Sequence, residues 1–246
     1  MSHFNYQQVT LNNGAKWEIA EALIDFNGEL YAKSTAQSKK KSQHTMHASQ
    51  TGKYRSPELK FQMQHMGILG EVYVQEYLKE IIAAANLSEQ WKVVRYDDVR
   101  TDDFRSAANE YDLKIQTENT AKQFTVESRS SIVHDRNFKT AIEHFDIIGS
   151  YSSIAKNAEE LADFFIRPLY EFIPFATAKY LPGNFEKHLK KEEIKLYIVA
   201  GCARKDMIAK GYNGSMNQAG SLYRLLKIAN GFDVKRFMPV LINKLN

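Results

Sequence analysis

The stretch EYDLKIQTENTAKQFTVESR (residues 110–129) is the most informative part of the sequence about the fold. Apolar and polar residues alternate in EYDLKI (110–115) and again in KQFTVESR (122–129), which is typical of two β-strands that each bury one face. The polar segment from Thr117 to Ala121 between them predicts a hairpin loop. We therefore expect two neighbouring strands that pair antiparallel.

The two acidic residues Asp112 and Glu127 of this stretch are candidate metal ligands. They are 15 positions apart, so antiparallel pairing lets both side chains project from the same end of the sheet. Two carboxylates that close repel each other unless a cation lies between them. Mg²⁺ is typically held by one or two carboxylates with water and substrate phosphate, and the Ser128 carbonyl is a further candidate oxygen. We expect a Mg²⁺ site, with Mn²⁺ as a substitute, that polarises a phosphodiester and lowers the pKa of a bound water.

A second interpretation of the same residues needs no metal. Glu127 and Arg129 lie two positions apart and therefore share one face of their strand. They can form a surface ion pair there, while Asp112 merely caps the end of its own strand. Both interpretations stay open at the level of the sequence.

A long helix precedes these strands. Ser56 and Pro57 make a favourable helix start, and apolar residues at helical spacing continue to about Ala85. Gly67 and Gly70 interrupt this helix at small cost and allow another backbone or a ligand to approach closely. Glu71 directly follows the second glycine, in the segment GILGE (67–71).

The remaining elements alternate between strands and helices. We predict the following, in chain order: a short strand QQVTL, a helix KWEIAEALIDF, a mobile basic loop 33–57, a strand WKVVRY (91–96), a central strand HFDIIGSYS (144–152), an amphipathic helix 156–173 kinked at Pro168, a buried strand IKLYIVAGC (194–202), a short helix RKDMIAKGY and a last strand SLYRLLKIA (221–229). The pattern favours an α/β (α+β) fold.

We expect one domain over residues 1–246. Its N-terminal elaboration covers 1–57, its catalytic-type core covers 58–203, and a C-terminal extension of the core covers 204–246.

Composition excludes some classes of protein. The apolar fraction of 43% supports a packed core, and no apolar run approaches the roughly 18 residues that a spanning helix needs. The single cysteine, Cys202, cannot form an internal disulfide and is expected to be a small core residue. We therefore expect a cytoplasmic protein with no membrane partner. The net charge of +4 permits a polyanionic partner without requiring one.

The chain resembles the PD-(D/E)XK nuclease superfamily from about Gln64 to Ala203. The resemblance is carried by GILGE, the YDL strand, the VESR strand and a following FDIIGSY strand. It implies a restriction endonuclease-like mixed central β-sheet flanked by helices. It assigns Asp112 as first metal ligand, Glu127 as second, and Glu71 to a metal-bound water or a second metal. Small uncharacterised phage or bacterial proteins of nuclease-like fold show the same order of motifs.

One position departs from the family pattern. The lysine of the E-x-K motif is replaced by Arg129, and arginine stays charged at any working pH, so it cannot be a general base. Arg129 can still bind the scissile phosphate in a bidentate manner and stabilise charge in the transition state. Lys114 shares a strand face with Asp112 and is the candidate substitute lysine.

Nucleic-acid contacts are expected from two polar segments. One is the basic loop with Lys39, Lys40 and Lys41, which is alternatively a solvated linker. The other is SSIVHDRNFK, whose Ser130, Arg136 and Lys139 would lie beside the carboxylates and contact backbone phosphates, or form an ordinary polar loop.

The function predicted first is a Mg²⁺-dependent endonuclease acting on DNA, of the restriction or phage-encoded type. A homodimer is compatible with this function, because cleavage of two DNA strands needs two active centres. Two alternatives remain open. One is a nucleic-acid-binding protein that keeps the nuclease fold and has lost hydrolysis, which the Arg129 substitution favours. The other is a structural or interaction protein of a phage or mobile element that uses the fold as a scaffold.

Overall fold

The structure, a computed structural model, describes residues 2–45, 54–105, 111–152, 160–215 and 222–246. Over these residues the chain forms a mixed α/β (α+β) architecture, as predicted, in which a mostly antiparallel eight-stranded sheet is flanked by helices. A second sheet of three strands packs beside it.

The strands and helices are bounded as follows. The strands are β1 (Phe4–Thr10), β2 (Lys16–Ala22), β3 (Trp91–Arg95), β4 (Leu113–Thr117), β5 (Gln123–Ser128), β6 (Ser131–Val133), β7 (Asp146–Ser152), β8 (Phe164–Phe172), β9 (Ile194–Ala203), β10 (Tyr212–Gly214) and β11 (Leu222–Lys227). The α-helices are α1 (Glu29–His44), α2 (Pro57–Ala84), α3 (Tyr96–Val99), α4 (Phe138–His144), α5 (Phe185–Lys190), α6 (Arg204–Lys210) and α7 (Val234–Leu245).

The main sheet has the strand order β1-β2-β9-β8-β5-β4-β3, and β6 also pairs with β8. Strands β3, β4 and β5 form an antiparallel meander, whereas β5 and β6 both run parallel to β8. The small sheet has the order β10-β11-β7. The parallel step from β5 to β8 requires a crossover, and α4 and β7 lie within it.

Two apolar cores cover the two faces of the main sheet. Helices α2, α5 and α7 pack on one face, against residues such as Leu113, Val126 and Ile166. Helices α4 and α6 and the small sheet cover the other face, where Phe165 and Cys202 are buried. The burial of Cys202 confirms its predicted place in the core.

Several predicted elements are confirmed. Strands are found at QQVTL, WKVVRY, KQFTVESR, IKLYIVAGC and SLYRLLKIA, and short helix α6 lies in RKDMIAKGY. The long helix is α2, which begins where predicted because the Ser56 hydroxyl accepts a hydrogen bond from the Leu59 N–H and Pro57 occupies the first turn. Among the described residues, no helix is both long and apolar enough to cross a membrane.

Residues 33–57 were predicted to be a mobile loop, and this is wrong for the part up to His44, which belongs to α1. Residues 46–53 lie outside the described residues. The buried face of α1 is made of Tyr31, Ser34 and Ser38, not of large aliphatic side chains. The two serine hydroxyls donate to backbone carbonyls one turn earlier in the same helix, which satisfies them inside the protein.

Three other predictions are wrong. KWEIAEALIDF contains strand β2, where Trp17 and Ile19 alternate into the core beside β1. The predicted helix 156–173 contains strand β8, and its residues 153–159 lie outside the described residues. A strand that is buried on both faces has a continuously apolar sequence. The periodicity of such a sequence does not distinguish a strand from a buried helix. HFDIIGSYS does form a strand, β7, but in the small sheet and not in the centre of the main one.

Candidate active site

The antiparallel register of β4 and β5 brings Asp112 and Glu127 to facing positions. Leu113 pairs with Val126, so one further step along the two strands sets Asp112 opposite Glu127. The Asp112 carbonyl accepts a hydrogen bond of 2.9 Å from the Tyr96 N–H, at the end of β3. Its carboxylate oxygen Oδ2 accepts a 2.8 Å bond from the Ser128 N–H. The Asp112 carboxylate is therefore fixed at the end of the meander.

The strand that carries Glu127 is interrupted just after it. Ser128 pairs with Ile166 and Ser131 pairs with Leu169 on β8, so β5 and β6 keep one register on either side of a gap. Arg167 lies level with this gap, is fully buried, and donates from Nη1 to the Arg129 carbonyl and from Nη2 to the Ser131 hydroxyl at 2.8 Å. The guanidinium of Arg167 thus replaces ladder hydrogen bonds and fixes the backbone of Arg129.

The helix α2 packs closely against the same gap. The Met66 carbonyl accepts hydrogen bonds from the Tyr170 hydroxyl at 2.9 Å and from the Ser130 hydroxyl at 3.3 Å. A Cβ on Gly70 would lie 3.1 Å from the Ser130 Cβ, so glycine permits the close approach that the sequence predicted at this position. The following residue, Glu71, is thereby carried to the end of the sheet.

Glu71 contributes the third carboxylate. Its Oε2 lies 3.9 Å from Nη2 of Arg95, whose side chain is fully buried at the end of β3. Burial raises the pKa of Glu71 to about 7, the positive charge of Lys41 opposes this shift, and the negative charge of Asp112 adds to it. Glu71 therefore changes its protonation near neutral pH.

Asp112 has a similarly raised pKa. Burial is the largest cause and the negative charge of Glu127 is the next, and together they raise the pKa to about 7. The charge of Arg129, the hydrogen bond from the Ser128 N–H and the charge of Lys41 act in the opposite direction. The charge of Asp112 thus acts on the pKa of Glu71, and the charge of Glu127 acts on the pKa of Asp112.

Arg129, at the position of the family lysine, forms an ion pair with Glu127. The Arg129 side chain is 34% exposed, whereas the Glu127 side chain is 11% exposed. The ion pair of the metal-free interpretation is thus present, but its carboxylate is buried at the sheet end and is not part of an open surface.

A face of α1 meets α3 beside these carboxylates. Lys33 lies 2.9 Å from Asp98, the Gln37 amide donates to Asp98 at 3.0 Å, and Lys41 lies 3.2 Å from Asp97. The three α1 residues are four positions apart, so they share one helical face. This face closes the side of the site next to β3.

The other predicted nucleic-acid-binding residues lie in varied places. Lys39 and Lys40 are exposed on α1, and Lys40 pairs with Asp103 at 3.0 Å. The Lys114 ammonium lies 4.1 Å from the centre of the Tyr111 ring. Arg136 is exposed and pairs with its neighbour Asp135, Lys139 is exposed on α4, and Ser130 is engaged with α2.

Sequence reasoning missed the residues that surround the carboxylates. Arg95, Asp97 and Arg167 were not singled out, and Lys41 was assigned to a loop. The lysine whose charge acts on Asp112 and Glu71 is Lys41, whereas Lys114 was expected in this role. The signal available for Lys41 was the helical spacing of Lys33, Gln37 and Lys41, which is visible once α1 is recognised.

Asp112 and Glu127 supply two carboxylates, which are donors of the kind that a hard divalent cation takes from a protein. In the part of the chain that the structure describes, no group of three or more His, Cys, Asp or Glu side chains is arranged to hold a metal ion by itself. Mg²⁺ commonly uses one or two carboxylates and completes its shell with water and phosphate. Asp112 and Glu127 face each other, and the Glu127 charge raises the pKa of Asp112. A cation between them would relieve that repulsion.

Comparison with known proteins finds a distant relative of similar length. It is the uncharacterised protein MJECS01 of Methanocaldococcus jannaschii, which is 23% identical over 231 residues, an alignment that covers 85% of this chain and 82% of the relative. No protein-family model matches the chain, and no solved structure matches it significantly. The chain is thus similar to an archaeal protein along most of its length.

Proposed function

We propose that this protein is a metal-dependent nuclease that hydrolyses phosphodiester bonds in DNA, with a site similar to that of the PD-(D/E)XK superfamily. The observation that carries the proposal is the meeting of Glu71, Asp112 and Glu127 at one end of the sheet, from a helix and two paired strands. A mixed sheet flanked by helices supports the proposal at the level of fold class only.

Asp112 and Glu127 would hold a Mg²⁺ ion, and a divalent ion supplies the positive charge that polarises a phosphodiester. Glu71 has a pKa of about 7, raised mainly by burial, and a carboxylate with a pKa near the working pH is suited to accept a proton from the attacking water. Arg129 remains protonated and would bind the phosphate that becomes more negative in the transition state. Glu71 thus takes the proton-accepting role that Arg129 cannot have.

The direct test is cleavage of supercoiled plasmid and of single-stranded DNA and RNA with Mg²⁺ or Mn²⁺. Asp112→Asn and Glu127→Gln should each reduce the rate by about a thousandfold, because each removes a negative ligand and keeps the shape of the side chain. The wild-type rate should rise with pH to about 7 as Glu71 loses its proton.

Glu118→Gln is the matched control. Glu118 is an acidic residue of the β4–β5 hairpin loop, and its exposed side chain pairs with Lys92 at 2.7 Å, outside the carboxylate group. This variant should cleave like the wild type. Cleavage that persists in both Asp112→Asn and Glu127→Gln would refute the assignment of the site.

A second candidate function is nucleic-acid binding without hydrolysis. The ion pair between Arg129 and Glu127 favours it, because an arginine that already neutralises Glu127 reduces the need for a metal there. A binding protein of this kind should hold DNA with an affinity that falls log-linearly as salt rises, with or without Mg²⁺. Binding with this salt dependence and no cleavage under any metal would replace the nuclease proposal, and a flat salt profile would favour a scaffold protein.

A further inference from the structure

Lys41 is held at the site in the same manner as Arg129. Its ammonium lies 3.2 Å from Asp97, and the exposed fractions are 31% for the lysine side chain and 4% for the aspartate. Arg129 is 34% exposed and its partner Glu127 is 11% exposed. In both pairs a buried carboxylate anchors a cationic side chain that is partly exposed.

The strand order places the two cations on either side of Asp112. Arg129 follows β5, and Asp97 follows β3, while Asp112 precedes β4, which lies between these two strands. The Tyr96 N–H, one residue before Asp97, is bonded to the Asp112 carbonyl at 2.9 Å. The Ser128 N–H, one residue before Arg129, is bonded to the Asp112 carboxylate at 2.8 Å.

We propose that Lys41 is a phosphate-binding residue of this site, and that Lys41 and Arg129 together clamp the backbone phosphate of a bound nucleic acid next to Asp112. The proposal rests on the proposed function, since it concerns the substrate of the same site. In this arrangement the lysine at the site comes from α1, and the strand position of the family lysine is occupied by Arg129.

The charge state of Lys41 fits this role. Burial lowers the pKa of Lys41, but the negative charges of Glu71, Asp97 and Asp112 outweigh this effect and raise it. The ammonium therefore stays protonated at neutral pH, so Lys41 contributes a fixed positive charge and not a general base. Phosphate oxygens are favourable ligands for such a charge.

The experiment measures binding of a short DNA duplex in Ca²⁺, used in place of Mg²⁺ so that binding is read separately from cleavage, at several salt concentrations. Lys41→Met should weaken binding about tenfold and reduce the slope of log affinity against log salt by about 1, as loss of one phosphate contact predicts. Lys41→Arg should restore both values, because the guanidinium can also pair with Asp97 and phosphate.

Lys227→Met is the matched control, since Lys227 lies on β11 in the small sheet and also pairs through a partly exposed side chain with a partly buried aspartate, Asp146, at 3.0 Å. It should bind with the wild-type affinity and slope. Equal behaviour of Lys41→Met and Lys227→Met would overturn the inference. Folding of each variant is checked by circular dichroism and thermal unfolding.

A measurement on the wild type keeps the test independent of folding defects. Acetylation by an amine-reactive reagent should modify Lys41 less when duplex is bound, whereas Lys227 should be modified equally with and without duplex. Absence of this protection in a protein that binds and cleaves DNA would refute the role of Lys41 alone. A wild-type protein that neither binds nor cleaves nucleic acid would refute the proposed function and the clamp together.

Discussion

Among the described residues, the arginines Arg95 and Arg167 are both fully buried but lie in different electrostatic surroundings. Arg95, at the end of β3, has the carboxylates of Glu71 at 3.9 Å and Asp98 at 3.6 Å, and donates to the Gln37 amide oxygen at 2.8 Å. Arg167, on β8, donates to neutral acceptors, the Arg129 carbonyl and the Ser131 hydroxyl. Burial lowers the pKa of Arg167 to about 9, against the opposing charge of Asp146.

This contrast shows that Arg95 belongs to the candidate site, whereas Arg167 stabilises the backbone next to it. Arg95 belongs to a region where buried charges of both signs balance one another beside Glu71, which is the arrangement expected where a charged ligand binds and pKa values are shifted. Arg167 serves the backbone, because it fills the gap between β5 and β6. Equal burial of the same residue type therefore has different consequences, and the partners decide which.

Replacing each arginine by methionine should show this difference most strongly. Arg95→Met should lower the free energy of unfolding at pH 7.5 by about 3 to 5 kcal/mol, because it removes the buried cation that lies between Glu71 and Asp98. Arg167→Met should stay within about 1 kcal/mol of the wild type, since losing two hydrogen bonds is offset by no longer burying a charge. Urea denaturation measures both values. Similar losses of unfolding free energy in the two variants would contradict the proposal that the charges around each arginine decide its contribution to stability.

The pH dependence of stability should reveal the strain in the carboxylate region. The folded pKa of Asp112 is raised from 3.8 to about 7, so between about pH 4 and 7 the folded state binds more protons than the unfolded state, and stability falls as pH rises. Asp112→Asn should therefore gain about 2 to 4 kcal/mol relative to the wild type across this range in EDTA.

Denaturant titrations at several pH values provide the test. Subtracting the wild-type curve cancels contributions from other groups, such as His65, whose pKa burial lowers to about 4. Glu118→Gln, in the exposed hairpin, should leave the difference curve flat. A flat curve for Asp112→Asn as well would mean that its carboxylate is not perturbed.

The packing of α2 over the strand gap can be tested at Gly70. A Cβ there would lie 3.1 Å from Cβ and 3.3 Å from Oγ of Ser130, so Gly70→Ala should displace the helix and destabilise the protein by about 1 kcal/mol despite the better helix propensity of alanine. The displacement also moves Glu71, so the cleavage rate should fall even at temperatures where the variant is fully folded. Thermal unfolding and plasmid cleavage measure the two effects.

Gly67, one turn earlier on α2, gives the smallest and opposite effect. A Cβ at this position would meet no atom of the described chain within 4 Å. Gly67→Ala should therefore stabilise the protein by about 0.5 to 1 kcal/mol through helix propensity, without changing cleavage. Destabilisation would show that α2 packs differently around this residue.

The strands with one buried face were predictable from the sequence because their period-two pattern is a local property. The hairpin from β4 to β5 and the start of α2 follow from alternation and from the Ser56-Pro57 cap in the same manner. The sequence of strand β8 predicts a helix, because both faces of the strand are buried and its apolar residues do not alternate with polar ones. Its Pro168 lies at a bulge in the pairing with β9, which accommodates a residue that lacks an N–H.

The candidate site was predictable to a similar extent. Asp112 and Glu127 belong to one hairpin, so their spacing alone indicated that they face each other. Lys41 and Asp97 are 56 positions apart in the chain and come together only through the packing of α1 against α3. Contacts of such long range leave no periodic signal in a single sequence.

The strand pair, the long helix with Gly70 and Glu71, and the facing positions of Asp112 and Glu127 were predictable from local patterns, because each depends on neighbouring residues and on backbone geometry. Long-range packing was needed for α1 to bring Lys41 to the carboxylates, for Arg167 to fill the gap in the strand, and for burial to raise two carboxyl pKa values to about 7. Burial and charge pairing are set by which distant segments pack together, and neighbouring residues along the chain do not specify that packing.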